Sequence, residues 1–582
     1  MRTPGTLVRR LGVSGVVAAT VAALSMVTGA QSRPRFYQDD PLWQEPITPV
    51  TNARRYEPSL FFDTIENVFA HPGNPVLTET LHGSRKVYDW RDPFVFEAGR
   101  RTFMVLGGNL NAGQGGPWFT NRAGRIPLTP ADVARAANTG TGPVDGPWTI
   151  VSAKSDGVTP GFTVRDRRGD LWFLKFDPPG HRAMASGSEI VSAKLFWAAG
   201  YHTVEYYIAS LKPADLVIGD SAKYTPPGAR ARRMSLEDVR KLLERAEVDP
   251  DGSYRVIASK AAPGAPMGRI IFHGTRSDDP NDLVAHEHHR ELRGYRVFAA
   301  WLNHVDAKSI NSIDVLVKDG GRQYIRHYLL DFGSTLGSGS VAPREYFEGY
   351  EPVVGPYGEG GRRMIALGFR IPAWRTVPAY SAPSIGRIPL DHENWDPDLW
   401  TPRFPNAAFR HAREDDKFWA ARKLQSISDE MIAAAVAEGK FGDAAAEAKL
   451  VRFLTDRRQA ILRRYLPAIN PVVDPAIDAN GTLSFANAAV EAGGAGGAGG
   501  NQVTWSVFDN ATGTARDVGE TKGGTRQPAP AALSVAEGGY VRVAISAGAG
   551  GQPSWSKPIH AYFTRSSGGW TLAGLERLPH RP

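Results

Sequence analysis

The sequence predicts an α+β chain in which a strand-rich part precedes a helix-rich part, with an irregular segment ahead of both and an all-β module behind them. Three observations predict it. Between residues 148 and 176, short runs of β-branched and aromatic residues separated by turn residues read as consecutive strands. From residue 278 to 465 the apolar residues recur mainly at helical spacing. Past Pro467 the chain returns to short alternating runs with glycine-rich breaks such as residues 493–500. A length of 582 residues suits about three or four domains, and 42% apolar with 22% charged residues supplies an ordinary globular core.

Residues 1–30 carry Arg2, Arg9 and Arg10 ahead of an uncharged run from Leu11 to Val27, and close on Thr28, Gly29 and Ala30, the layout of a cleaved signal peptide. Gly12, Ser14 and Gly15 interrupt a run already short for an anchor, so no stable membrane span is expected after cleavage. Arg9-Arg10 leaves the general and twin-arginine export routes both open. The chain has no cysteine, which excludes disulfides, cysteine zinc sites and thiol nucleophiles. An exported chain without disulfides fits a secreted or periplasmic bacterial protein. The net charge of +8 includes the three arginines of residues 1–30 and comes without a dense basic block, so it reads as solvated surface and no nucleic-acid partner is expected.

Residues 31–147 are rich in Pro, Asn, Gly and aromatics and read as an irregular wrapping segment, with one short helix over 128–137 started by Thr129 and Pro130. Strands are expected at 149–153, 161–165 and 171–176, the first two joined by the loop 154–161. In that loop Gly157 and Gly161 either let backbone amides approach a phosphate or form an ordinary hairpin turn. A helix over 186–199 ends at Gly200; its Glu189 either closes a capping box with Ser186 or pairs with Lys175, which within an apolar strand needs a carboxylate. A strand at 206–209, a mobile insertion at 219–233, a capped helix at 235–245 and strands at 254–260 and 268–272 follow, closing a unit over 148–275.

Residues 276–467 open with a long helix over 278–303. His286-Glu-His-His289 within it lacks the His-Glu-x-x-His spacing of zinc proteases and reads as a polar, solvated helix start. Strands at 313–318 and 324–330 flank the turn Asp319-Gly320-Gly321. Residues 334–405 are rich in Gly, Pro, Trp and Arg, and helices are expected at 415–438 and 443–465. Residues 468–582 form a β-sandwich-like module with strands at 503–508, 540–545 and 559–563, more often an interaction module and here a candidate for an envelope partner.

The most informative stretch is His304-Val-Asp306-Ala-Lys308-Ser-Ile-Asn311, followed after the hairpin by Asp331-Phe332-Gly333. Phosphoryl transfer needs a carboxylate near the attacking hydroxyl and oxygen ligands that hold magnesium on the phosphates. Asp306, Asn311 and Asp331 are the right types, and the hairpin returns the last beside the loop. The stretch resembles the catalytic loop and metal-binding motif of the protein-kinase-like superfamily, nearest to divergent HipA-like, CotH-like or secretory-pathway members. The resemblance covers roughly residues 148–465. It implies a two-lobed fold, with 148–275 as small lobe, 276–467 as large lobe and 334–405 in the place of the activation and substrate segment. It also implies ATP and Mg2+ as cofactors. Asp306 would accept the acceptor's proton and Lys308 would offset charge on the transferred group. Lys175 would contact phosphates with Glu189 as its partner, and Asn311 and Asp331 would be the metal ligands. The pattern departs at Val305, where regulated kinases carry Arg; Ala342-Pro343, followed by Arg344 rather than Glu and too close to Asp331, is a coincidental likeness to the family's Ala-Pro-Glu.

Function therefore reads as transfer of the ATP γ-phosphoryl group to a hydroxyl acceptor. The alternatives are AMP transfer on the same site, or a catalytically silent relative that recognises envelope components.

Overall fold

The computed structural model describes residues 36, 48–57, 59–67, 95–98, 101–104, 116–124, 126–154, 159–226, 229–282, 285–352, 372–391, 395–494, 500–548 and 552–577. The expectations for residues 1–30 and for Gly157 lie outside them. Among the described residues the architecture is α+β with several separate sheets, and no helix there is long and apolar enough to cross a membrane.

The largest sheet has seven strands: β1 (Trp148–Ala153), β2 (Gly161–Arg165), β3 (Leu171–Phe176), β4 (Tyr206–Leu211), β5 (Leu216–Tyr224), β6 (Arg232–Arg233) and β7 (Tyr254–Lys260). Their order is β4-β7-β3-β2-β1-β5-β6, antiparallel except for the β1–β5 pair. The alternation of these sequences decides which side each residue faces. Ile150, Phe162, Val164, Trp172, Leu174, Val256 and Ala258 meet Val239, Leu242 and Leu243 of a short helix, Leu236–Leu243, in one core. The opposite face of the sheet receives helix α1 (Met184–Ala199), which is buried on every side except at Trp197. Residues 216–224 and 232–233 thus belong to the sheet rather than to a mobile insertion: Leu216, Ile218 and Ala222 alternate inward onto the same core.

Strands β8 (Ala265–Gly268), β9 (Ser312–Asp319) and β10 (Arg322–Leu329) form a second, antiparallel sheet. The β9–β10 turn places Gly320 and Gly321 at positive φ, as a two-residue hairpin demands. The strand expected at 268–272 stops at Gly268 because the backbone of Tyr56 docks there. A Cβ on Gly268 would stand 1.5 Å from the Tyr56 carbonyl oxygen.

The helix expected over 278–303 forms only from Arg290 to Trp301. Ahead of it, Asp279 and Asp282 accept from the backbone of Asn281 and Arg276, side-chain bonds that compete with helix formation. The helix expected over 415–438 breaks into Glu414–Gln425 and Asp429–Ala437, because Ser428 caps the second by accepting from the Met431 amide. Ala444–Tyr465 forms as a single helix with Asp443 as its cap.

Past residue 467 lie a three-stranded sheet (Val472–Ile477, Thr482–Asn487, Arg526–Pro528) and a five-stranded antiparallel sheet. Val503, Trp505, Val541 and Leu575 share one continuous core with Phe418, Leu450 and Phe453 of the helices. The Arg577 guanidinium lies 4.2 Å from the Phe418 ring. Described parts of residues 31–147 run over later elements: Phe36 bonds Asn510, Val50 bonds Gln323, and Thr120 bonds Gly200.

Candidate functional site

Lys175 lies on β3, directly opposite Gly161 of β2. Its ammonium is 2.7 Å from the Glu189 carboxylate on α1 and 2.9 Å from Asp331, at the end of the β9–β10 hairpin. Burial works to lower the Lys175 pKa, but the two carboxylates outweigh it and hold the ammonium charged well above its usual range. Burial likewise works to raise Asp331, yet Lys175 and Lys154 bring it down to about 2. Asp331 itself sits in the left-handed backbone region, φ 56° and ψ 61°, which few residues other than Gly, Asn and Asp adopt. Its side chain remains 40% exposed, the open member of the trio.

The capping box of Ser186 with Glu189 does not form. Helix α1 begins two residues earlier, and its N-terminus is held by Asp177. One Asp177 oxygen accepts from the amides of Ala185 and Ser186; the other accepts from the Ala183 amide and the Ser186 hydroxyl. A carboxylate on these otherwise orphaned amides does what a cap residue does, and Glu189 turns to Lys175 instead. No short-range spacing marks Asp177 for this, because the chain between it and the helix loops back.

The second group of side chains comes from the loop before β9. The Asp306 carboxylate is 2.8 Å from the Lys308 ammonium. Asn311 Nδ2 donates to the Asp306 carbonyl at 2.7 Å and to its carboxylate at 3.0 Å, which leaves Asn311 Oδ1 as an acceptor. The Leu330 amide donates to the Asn311 carbonyl at 3.0 Å, so the loop is stitched to the chain one residue before Asp331. Behind the loop His304 is fully buried against Tyr295, Phe196 and Phe332, and Phe196 of α1 stacks on Phe332 at 5.0 Å. Burial pushes the His304 imidazole down to about 4, so it packs as a neutral ring at ordinary pH. These aromatic contacts hold α1, with Glu189, against the residues that carry Asp331 and Asp306.

Lys175, Glu189 and Asp331 are thus brought together directly, as are Asp306, Lys308 and Asn311, and one backbone hydrogen bond joins the two groups. Gly161 lies across from Lys175. Asp331 and the Asn311 amide oxygen are hard oxygen donors of the site, beside the Glu189 and Asp306 carboxylates that pair with Lys175 and Lys308. Among the described residues no cluster of three or more His, Asp or Glu side chains suits a metal, so a cation here would depend on ligand oxygens as well.

Besides Asp177, two further residues escape sequence reasoning. Asp63, on the short helix Leu60–Ile65, accepts from the Ser309 hydroxyl at 2.8 Å inside the loop before β9. Lys154 lies close enough to depress Asp331. The His286 segment is not a solvated helix start. His286 is buried, 2.7 Å from Asp282. His327, bonded to Asp314 at 2.7 Å, stacks on Trp118 with centroids 3.4 Å apart. Trp118 thus draws these histidines inside.

No family model matches the chain, and no curated protein matches it. Two solved chains do. One, titled as the crystal structure of the golgi casein kinase, is similar with a TM-score of 0.26 at 9% identity, covering 75% of this chain and 97% of that one.

Proposed function

We propose that the protein is a phosphotransferase that moves the γ-phosphoryl group of ATP to a hydroxyl acceptor, on a two-lobed protein-kinase-like framework and in an exported, secreted or periplasmic setting. The carrying observation is the convergence of Lys175, Glu189 and Asp331 with Asp306, Lys308 and Asn311 through the Leu330–Asn311 bond. Mg2+ fits Asp331 and Asn311 Oδ1, because it takes oxygen ligands, favours one or two carboxylates and completes its shell from phosphates and water. When bound it neutralises charge developing on the phosphates.

The protein's own residues do the rest. Lys175, kept charged and fixed in direction by Glu189, holds phosphate oxygens. Asp306, ion-paired with Lys308, orients the acceptor hydroxyl and receives its proton as the new P–O bond forms and ADP departs. Lys308 remains beside the transferred group, where a fixed cation lowers the energy of spread negative charge. The Lys308 ammonium also lies 4.7 Å from the Phe404 ring.

Incubation with magnesium and either γ-labelled or α-labelled ATP tests this reading. Transfer of the γ label to protein or small hydroxyl acceptors is the expected result. Transfer of the α label instead would convert the reading to AMP transfer. Tight nucleotide binding with neither transfer would leave a recognition protein, with the C-terminal β module as its partner surface.

A further inference from the structure

We infer that Lys154 is a second cation for the nucleotide's phosphates, set beside Lys175 in one cross-strand row with Gly161 between them. The inference rests on the phosphotransferase reading and deepens it.

The β1–β2 pairing extends one residue past β1, since the Lys154 amide donates to the Gly161 carbonyl at 2.9 Å. Gly161 in turn pairs with Lys175 on β3. Cross-strand partners project to the same side of a sheet, so Lys154, Gly161 and Lys175 share a face. It is not the face of the Leu236–Leu243 core, because the adjacent row Ala153, Phe162 and Leu174 points there. It is the face that meets Glu189 and Asp331. Strands lie about 4.8 Å apart, so the two lysines stand roughly 10 Å apart at the backbone, a separation that long side chains close readily over one ligand.

Gly161 leaves that space open. A Cβ there would stand 2.3 Å from the Leu174 carbonyl oxygen and 3.5 Å from the Lys154 Cβ. The glycine is therefore required by the strand packing, and its consequence is that position 161 sends no side chain between the two ammonium arms. The Lys154 ammonium donates to the Thr159 hydroxyl at 3.0 Å, which fixes the direction of its side chain. Its charge is felt at both Glu189 and Asp331. Once a divalent cation engages Asp331, phosphate oxygens are the natural new partners for both lysines. A triphosphate carries more charge than Lys175 and one divalent cation offset, whereas a nucleoside monophosphate carries less charge for a second lysine to meet.

The test is calorimetric titration of the full chain with Mg·ATP, Mg·ADP and AMP, comparing the parent with Lys154→Ala and Lys154→Arg, each first shown to keep the parent's circular dichroism and thermal midpoint. The expected result for Lys154→Ala is about a tenfold or greater loss for ATP, as for removal of one charge-assisted phosphate contact. The loss should be smaller for ADP and nil for AMP, with recovery in Lys154→Arg. Parent-like ATP binding by Lys154→Ala, or an equal loss for all three nucleotides, overturns the inference. Should the parent bind no nucleotide, the phosphotransferase reading falls and this inference with it. Parent binding with an unaffected Lys154→Ala removes the inference alone.

Discussion

Two charge clusters in this molecule look alike on paper and differ in what they can do. In the first, Arg290 and Arg293 on helix Arg290–Trp301 meet Asp415 and Asp416 on helix Glu414–Gln425. Arg293 grips Asp416 with two bonds at 2.7 and 2.9 Å, and the four side chains are no more than 1% exposed. In the second, Lys175 sits between Glu189 and Asp331, but Asp331 is 40% exposed and Lys175 17%. A closed cluster spends its charge on its own partners and pins two helices together. A cluster with one open carboxylate and one shared ammonium can exchange an internal partner for a ligand. Burial of charge therefore does not by itself mark a site.

The strongest way to break this contrast is Asp331→Ala, which should abolish magnesium-dependent nucleotide binding while leaving the thermal midpoint within a few degrees of the parent. A parent-like thermal shift with Mg·ATP in that variant would show that the open carboxylate is not the metal ligand. Next in size, Asp306→Asn should retain nucleotide binding but slow transfer by about 10²- to 10⁴-fold, the usual range for general-base assistance. Unchanged transfer there would move the acceptor's proton elsewhere.

The closed cluster should answer differently. Arg293→Ala leaves Asp416 buried without its bidentate partner and should cost about 3–5 kcal/mol in urea unfolding, with nucleotide affinity of the folded fraction unchanged. Loss of affinity without loss of stability would erase the distinction between the two clusters.

Smaller and more diffuse is the response to acid. Burial holds His202 down to about 3 and His304 down to about 4, against about 6.5 for an exposed histidine. Between about pH 6.5 and 4 the unfolded chain takes up protons that the folded chain refuses, so each residue lowers stability by about 1.4 kcal/mol per pH unit as the pH falls. His286, whose pKa is raised by Asp282 against the effect of burial, acts in the opposite sense. Unfolding curves at pH 7 and 5 should accordingly show a shallower pH slope for His202→Asn and His304→Asn than for the parent; equal slopes would remove buried histidine as the cause. Asp331, at about 2, stays ionised across this window, whereas burial raises the Glu189 carboxyl.

Slightest of all is Ser309→Ala, which removes the hydrogen bond to Asp63. Transfer should fall several-fold with nucleotide affinity retained, because the bond braces the loop between Lys308 and Asn311 without touching the phosphates. A parent rate would leave Asp63 a packing residue only.

What the sequence by itself determined is what local chemistry determines. Asp319-Gly320-Gly321 between two apolar runs specifies a tight hairpin, and the hairpin returns Asp331 to the loop that bears Asp306 and Asn311. Thr129 and Ser235 are legible as caps, and the β1 to β3 alternation is legible as strands. What only the tertiary structure decided depends on register and on chain folded over chain. Asp63 reaches Ser309 across 246 positions of sequence, through a backbone path that also needs Gly268 to admit Tyr56. Asp177 reaches α1 across a loop and thereby frees Glu189 from capping. Lys154 joins Lys175 because a one-residue extension of pairing sets both on one face; a slip of one residue would turn it to the other. The stretch before Arg290 forfeits its helix to Asp279 and Asp282, whose side chains compete for backbone amides that periodicity alone assigns to the helix. Period and turn chemistry act within a few residues, whereas pairing register, burial and the partner of a charge are set by segments that meet only on folding.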